Sequence, residues 1–232
     1  MAYSPILSII TATFEIAAAI FASFCKGRRN VRYSAAAVLL FLSAYQIIET
    51  VLCVDPVRFA GLSRPAFMTV LWLPATGLLL LSSISPSLHR FMKTYTGIFY
   101  GLAFGLFVWQ ILDQTPVGTS VCLVVFAKYN NVMPKLLTLI YGIYYQLGLL
   151  SMLVLSAICL MQCQEELARK QVGQLLIGCL AFIVPALMVT ILIPATEGAY
   201  ASILCHLALF LAIFIVRILW LENKSGSALS KV

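Results

Sequence analysis

Few side chains in this sequence can do acid–base, nucleophilic or metal chemistry, and their spacing decides which chemistry is open. The 232 residues include two histidines, His89 and His206, and eight Asp plus Glu. No paired aspartates, no Ser and His couple at a recognisable spacing, no CxxC and no Gly-rich phosphate loop occur, so hydrolase, thiol-oxidoreductase and nucleotide-binding motifs are missing. His89 and His206 belong to opposite ends of the expected elements, which leaves no clustered ligand set and predicts no metal. A retinal pigment needs a lysine for its Schiff base, and the seventh apolar stretch holds Arg217 instead. The expectation is a protein with no enzyme's constellation and no identifiable cofactor. What stands out is Glu15, Glu49 and His206, each inside a long apolar stretch. A carboxylate in hydrocarbon costs at least ~2.5 kcal/mol, so both glutamates must face a bundle interior or a wet cavity.

The elements that position these groups follow from composition. Hydrophobic residues make up 62% and charged residues 10%, with a mean hydropathy of +1.02. Water-soluble domains carry roughly 25% charged residues, so this chain cannot clothe a surface in water, which excludes a soluble enzyme or DNA-binding domain. A spanning helix takes about 20 apolar residues, because the hydrocarbon core is ~30 Å thick and each residue rises ~1.5 Å. Seven stretches qualify: Ile6 to Phe24, Ser34 to Val54, Ala66 to Ile84, Tyr95 to Leu112, Leu136 to Met161, Val172 to Pro194 and Ala199 to Leu221. The connections leave no room for a folded soluble domain. The expected fold is an all-α integral membrane protein: a single bundle of seven transmembrane helices over residues 1–221, then a short polar cytoplasmic tail at 222–232.

Charge placement sets the orientation. Lys26, Arg28, Arg29 and Arg32 crowd the first connection, and eleven of the 15 Lys and Arg fall on that side; Arg58, Arg64, Lys128 and Lys135 fall on the other. The positive-inside rule then puts the N-terminus outside and the C-terminus in the cytoplasm. Topology accounts for the net charge of +7, so the expected partner is the lipid bilayer of a cell membrane, plasma or inner, and no nucleic acid. Met1 to Pro5 lacks Lys and Arg, so the first stretch reads as a retained helix and not as a signal peptide.

On that topology Tyr45, Gln46 and Glu49 occupy the outer turns of the second span, Trp72 the third, Gln110 the fourth and Tyr145 the fifth, while His206 lies ~10 Å below the outer end of the seventh. Trp109 and Tyr141 fit the interfacial anchors that any bundle carries. Polar groups gathered at one depth predict an outward-facing pocket for a small ligand with apolar and polar parts. Glu15 sits near mid-bilayer on one stripe with Ser8 and Thr11. Gly97, Gly101 and Gly105 recur every four residues and are expected to seat the fourth span inside the bundle. Pro74, Pro185 and Pro194 interrupt or end the third and sixth spans. The run Val121 to Phe126, followed by Asn130-Asn131, predicts a short β-hairpin or lid over the outer mouth. Cys53 and Cys122 both fall outside and form a candidate disulfide.

Two stretches carry a family likeness. Phe41-Leu42-Ser43-Ala44-Tyr45-Gln46-Ile47-Ile48-Glu49, running through Leu71-Trp72-Leu73-Pro74 to Leu81, is one; Arg169-Lys170-Gln171-Val172-Gly173-Gln174-Leu175-Leu176-Ile177-Gly178, running through Pro185, is the other. They resemble the seven-helix sensor module at the N-terminus of many bacterial membrane histidine kinases and diguanylate cyclases. There a glutamate ends the second helix, a Leu-Pro pair lies in the third, and an Arg-rich turn followed by Gln opens the sixth. The likeness covers about half the chain and implies an outward N-terminus, an inward C-terminus and sensing of a ligand or of the membrane state. In that family a cytoplasmic signalling domain follows, whereas here about a dozen polar residues follow Leu219.

The function expected from these readings is a receptor- or sensor-like multi-pass protein that binds a small amphiphilic ligand or lipid in its outer half and signals through a separate membrane or cytoplasmic partner. Two alternatives stand beside it: a small-solute transporter of three helices, a linker helix and three more, with the glycine-striped fourth span dividing the triplets, and a non-catalytic subunit of a membrane complex.

Overall fold

The computed structural model describes residues 4–85, 89–113, 115, 120–123, 127–129, 133–193 and 199–229, the side chains of 89 and 227–229 excepted. Its elements are α1 (Ile6–Phe24), α2 (Arg29–Val54), α3 (Ser63–Val70), α4 (Leu73–Ile84), α5 (His89–Leu112), β1 (Val121–Cys122), β2 (Ala127–Lys128), α6 (Lys135–Gln162), α7 (Glu166–Leu192) and α8 (Tyr200–Leu229). A 3₁₀ turn at Ala60–Leu62 leads into α3. With α3 and α4 taken together, seven helices are long and apolar enough to cross a membrane, which makes this an integral membrane protein. Exposed Ile6, Ile98, Leu102, Leu147 and Ile191 are among the side chains such a bundle turns to lipid.

α1 pairs closely with α2 and α7 with α8, and α8 also packs on both α1 and α2. Small residues make the first of these contacts possible: Ala12, Ala18, Ala19 and Ala22 lie on the buried face of α1, together with Ser8, Thr11 and Glu15. α4 runs through the middle, touching α2, α5, α6 and α7, and its residues Leu73 to Leu78 are all buried. α5 is peripheral.

The helices run further than the apolar stretches at one end of the bundle. α2 starts at Arg29, α7 at Glu166, and α8 continues through the segment read as a tail from Glu222 as far as Leu229. Arg29, Arg32, Arg90, Lys93, Arg169 and Lys170 therefore sit on helical turns and not in loops. The hydropathy pattern marks only the part of a helix inside hydrocarbon, and a helix continues past it where long basic side chains can reach water.

The third span is broken at Leu71–Trp72, and Pro74 opens the second half as an early residue of α4. Proline removes a donor from the ladder at this point, and α6 covers carbonyls at the break: Tyr141 Oη donates to Phe67 O (3.2 Å) and Tyr144 Oη to Leu71 O (3.0 Å). Pro185, by contrast, lies within the continuous helix α7; Pro194 lies outside the described residues.

Gly97, Gly101 and Gly105 do not seat α5 in the bundle. All three are exposed, and a Cβ added at any of them would meet nothing within 4 Å. The close approaches are made by other glycines. Gly148 of α6 lies against Pro74, and Gly77 of α4 against Met152. Spacing alone cannot say which face of α5 a stripe occupies relative to neighbours from distant parts of the chain.

β1 and β2 pair antiparallel, Val121 opposite Lys128 and Cys122 opposite Ala127. Residues 124–126, which connect the two strands, and Asn130-Asn131 lie outside the described residues. Cys122 is bonded to Cys53 at the end of α2, with a Cα–Cα distance of 5.6 Å, and Arg64 Nη2 pairs with Asp113 Oδ2 at 3.1 Å nearby in the fold. Replacing Cys53, Cys122 or both by serine is expected to lower thermal stability equally, since one bond is lost in each case. The loss should stay below the ~4 kcal/mol that chain entropy gives for a loop of this length, because the spans remain helical in the bilayer after unfolding. Unfolding curves of the three variants in detergent check this.

Candidate functional site

Tyr45, Gln46 and Glu49 leave one face of α2 and are all buried. Ser202 and His206, one helical turn apart on α8, meet them, and Ser8 of α1 closes the third side. Ser202 Oγ donates to Glu49 Oε1 at 2.6 Å and accepts from Ala127 N–H of β2 at 3.0 Å. His206 Nδ1 lies 2.7 Å from Ser202 O. A carbonyl only accepts, so Nδ1 carries a proton. Nε2 faces Ser8 Oγ at 3.1 Å, and Glu49 Oε1 is 4.0 Å from Nδ1. Gln46 Nε2 donates to Cys205 O. Glu49 also lies within reach of the Tyr45 hydroxyl and the Ala127 N–H, while Gln46 Oε1 has no hydrogen-bond partner among the described residues.

The fold thus brings together a Ser and a His that stand 198 residues apart in sequence. The order Ser8, His206, Glu49 resembles that of a hydrolase triad, yet Nδ1–H is held by a carbonyl, and neither Ser8 nor His206 lines a cavity described below. Among the described residues, no three His, Cys, Asp or Glu side chains gather as metal ligands would.

Next to this network lies a cavity of about 520 Å³, lined by residues of α3, α6 and the start of α8, with Tyr129 and Met133. Phe67, Tyr141, Tyr145 and Tyr200 give it aromatic walls, and Lys135, Thr138 and Gln146 supply polar groups. Phe67 packs edge-on against Tyr129 and Tyr141 at 5.1 and 5.5 Å. Two links tie cavity to network. Tyr129 Oη is 2.9 Å from Tyr45 Oη, and the lining residue Ala201 directly precedes Ser202.

The seven residues expected to line one pocket therefore separate. Tyr145 lines the cavity; Tyr45, Gln46, Glu49 and His206 lie behind it in the network. Trp72 packs instead on Tyr100 and Phe107 of α5, at 6.2 and 5.8 Å, and Gln110 is buried on α5 with neither amide atom paired among the described residues. Glu15 is buried on the Ser8–Thr11 stripe and makes no hydrogen bond there. Tyr129, Tyr200 and Ser202 were not singled out by sequence, and Lys135 only as a charge on the outer side. Only Ser202 carried a signal, its i, i+4 spacing to His206.

A second polar cluster closes the opposite end. Arg28, in the turn between α1 and α2, donates Nε to Glu222 Oε1 (3.0 Å) and Nη2 both to Glu222 Oε2 (2.9 Å) and to Gln171 Oε1 (2.7 Å). Arg28 N–H also reaches Glu222 Oε1 at 2.7 Å, and Gln171 Nε2 donates to Glu222 Oε2 at 2.7 Å. The hydrogen bond to Glu222 holds the Arg28 guanidinium proton more firmly than usual. Gly27, at φ +133°, is needed here, because a Cβ would come within 2.5 Å of Glu222 Cγ. One clasp thus joins the α1–α2 turn, α7 and α8.

Neither a protein-family model nor a curated protein matches this chain. The features it shares with the sensor module named above are the seven membrane-length helices.

Proposed function

We propose that this is a receptor- or sensor-like membrane protein that binds a small amphiphilic ligand in the aromatic cavity and transmits its occupancy along α8. The observation that carries the reading is the cavity's attachment to the buried network through the Tyr129–Tyr45 hydrogen bond and the Ala201–Ser202 step. Aromatic walls suit an apolar body, and Lys135 at the lining suits an anionic or strongly polar end. α8 carries Tyr200, Ser202 and His206 near one end and Glu222 at the other, a rigid rod of roughly 30 Å between them. A change at Ser202 is thereby delivered to the Arg28–Glu222–Gln171 clasp, where a separate partner reads it.

The cavity and the Cys53–Cys122 bond face outside, and the clasp faces the cytoplasm. The excess of Lys and Arg at the clasp end supports this orientation, and so does the disulfide, which persists in an oxidising compartment. The β1–β2 ladder acts as a hairpin lid, tied to α2 by that bond and to α8 by Ala127. The broken third span favours transport as a second reading, since discontinuous helices mark transporter sites; solute flux into proteoliposomes would establish it.

In nanodiscs, a dansyl-labelled fatty acid should show saturable binding, and Tyr145→Ala should weaken it ~tenfold by removing one aromatic wall. Tyr129→Phe should retain binding but uncouple it from the labelling rate of Cys25 beside the clasp. Equal affinity in wild type and Tyr145→Ala overturns the cavity assignment.

A further inference from the structure

A second cavity, of about 490 Å³, opens at the clasp end between α2, α4 and α5. Beside the apolar Ala37 and Leu79, its lining carries polar and basic groups and no acid: Asn30 and Tyr33 from the first turns of α2, Ser82 and Ser83 from the last turn of α4, Lys93 and Thr96 from the start of α5. Ser82 and Ser83 already donate to Leu79 O. Two donors lack a partner among the described residues, one exposed and one buried. Lys93 makes no ion pair among the described residues, and Thr96, 4% exposed, has a hydroxyl with no partner there.

The exposed glycine stripe begins at this cavity. Lys93, Gly97, Gly101 and Gly105 follow one another at i, i+4 along α5, and no atom stands over any of the three glycines. The bare track from Gly97 to Gly105 is roughly 12 Å long, and with Lys93 the stripe spans roughly 18 Å, close to one leaflet's share of a ~30 Å hydrocarbon core. A headgroup seat at the basic end and a side-chain-free groove running toward mid-bilayer match the two parts of one lipid molecule.

We propose that this cavity is a binding site for an anionic phospholipid, with the phosphate at Lys93 and Thr96 and an acyl chain along Gly97–Gly101–Gly105. The site is separate from the aromatic cavity and stands or falls independently of it.

The test is native mass spectrometry of the delipidated full chain with phosphatidylglycerol or phosphatidylcholine of identical acyl chains. The expected result is at least fivefold greater retention of phosphatidylglycerol. Lys93→Gln, an exposed substitution that leaves the fold intact, should abolish the preference, and Gly97→Leu, which meets no neighbour, should lower retention of bound lipid by blocking the track. Equal retention of the two lipids, an unchanged preference in Lys93→Gln, or full displacement by millimolar inorganic phosphate would overturn the proposal, the last by making free phosphate the ligand.

Discussion

Replacing Glu222 by alanine is expected to lower stability by about 2–3 kcal/mol, somewhat less than the ~3–5 kcal/mol that breaking a fully buried ion pair costs. The Glu222 side chain is 3% exposed and that of Arg28 39%. Water can therefore compensate Arg28 in part, but it reaches the remaining partners poorly. The substitution removes the acceptor for three Arg28 donors and for Gln171 Nε2, which then lies buried with one bond fewer. It also frees the α1–α2 turn from α8. Glu222→Gln keeps the shape and some of the bonds, so it should cost about half as much. Thermal unfolding in detergent, followed by maleimide labelling of Cys25, reports both effects. Cys25 is buried beside this turn, and burial pushes its thiol up, so labelling is slow until the clasp opens. An Ala variant as stable as the wild type would mean that the clasp contributes nothing to the fold.

A comparable loss, ~3 kcal/mol, is expected for Gly148→Ala. The added Cβ would stand 2.3 Å from Pro74 Cβ and 3.1 Å from Phe99 Cε1. The proline ring is fixed to the backbone at the start of α4, so relief requires α4 and α6 to separate, which also strains the bonds from Tyr141 and Tyr144 to the break in the third span. Gly77→Ala makes a nearly as short contact, 2.5 Å, but with Sδ and Cε of Met152, a flexible side chain that can swing aside. Its cost should be near 1 kcal/mol. Gly101→Ala meets nothing and should be neutral or slightly stabilising, by at most ~1 kcal/mol of helix propensity. Melting temperatures of the three variants in one detergent test the ranking; a Gly101→Ala loss matching that of Gly148→Ala would contradict the packing described for α5.

Much of this architecture was legible because membrane insertion imposes a local rule. Seven runs of about 20 apolar residues mark seven spans, and the helices lie where those runs lie. The stripe Ser8, Thr11, Glu15 was legible as an interior face for the same reason, since hydrocarbon does not tolerate such groups outside. Less could be read where the answer depended on a partner helix. Trp72 and Tyr145 share a depth by residue counting, yet one packs on α5 and the other lines the cavity. Depth fixes height in the bilayer and says nothing of the azimuth toward which a side chain points. The glycine stripe failed on the same ground: its period identifies a face, and only the neighbours decide whether that face is covered.

By itself, then, the sequence determined the apolar lengths and the number of spans, because both follow from transfer between water and hydrocarbon, residue by residue. Only the tertiary structure decided which polar groups meet: Ser8 with His206, Glu49 with Ser202, Tyr45 with Tyr129, Arg28 with Glu222. Those pairs join segments between 84 and 198 residues apart. Their geometry is set by how helices rotate and cross when close-packed, a property of the whole bundle that no local pattern encodes.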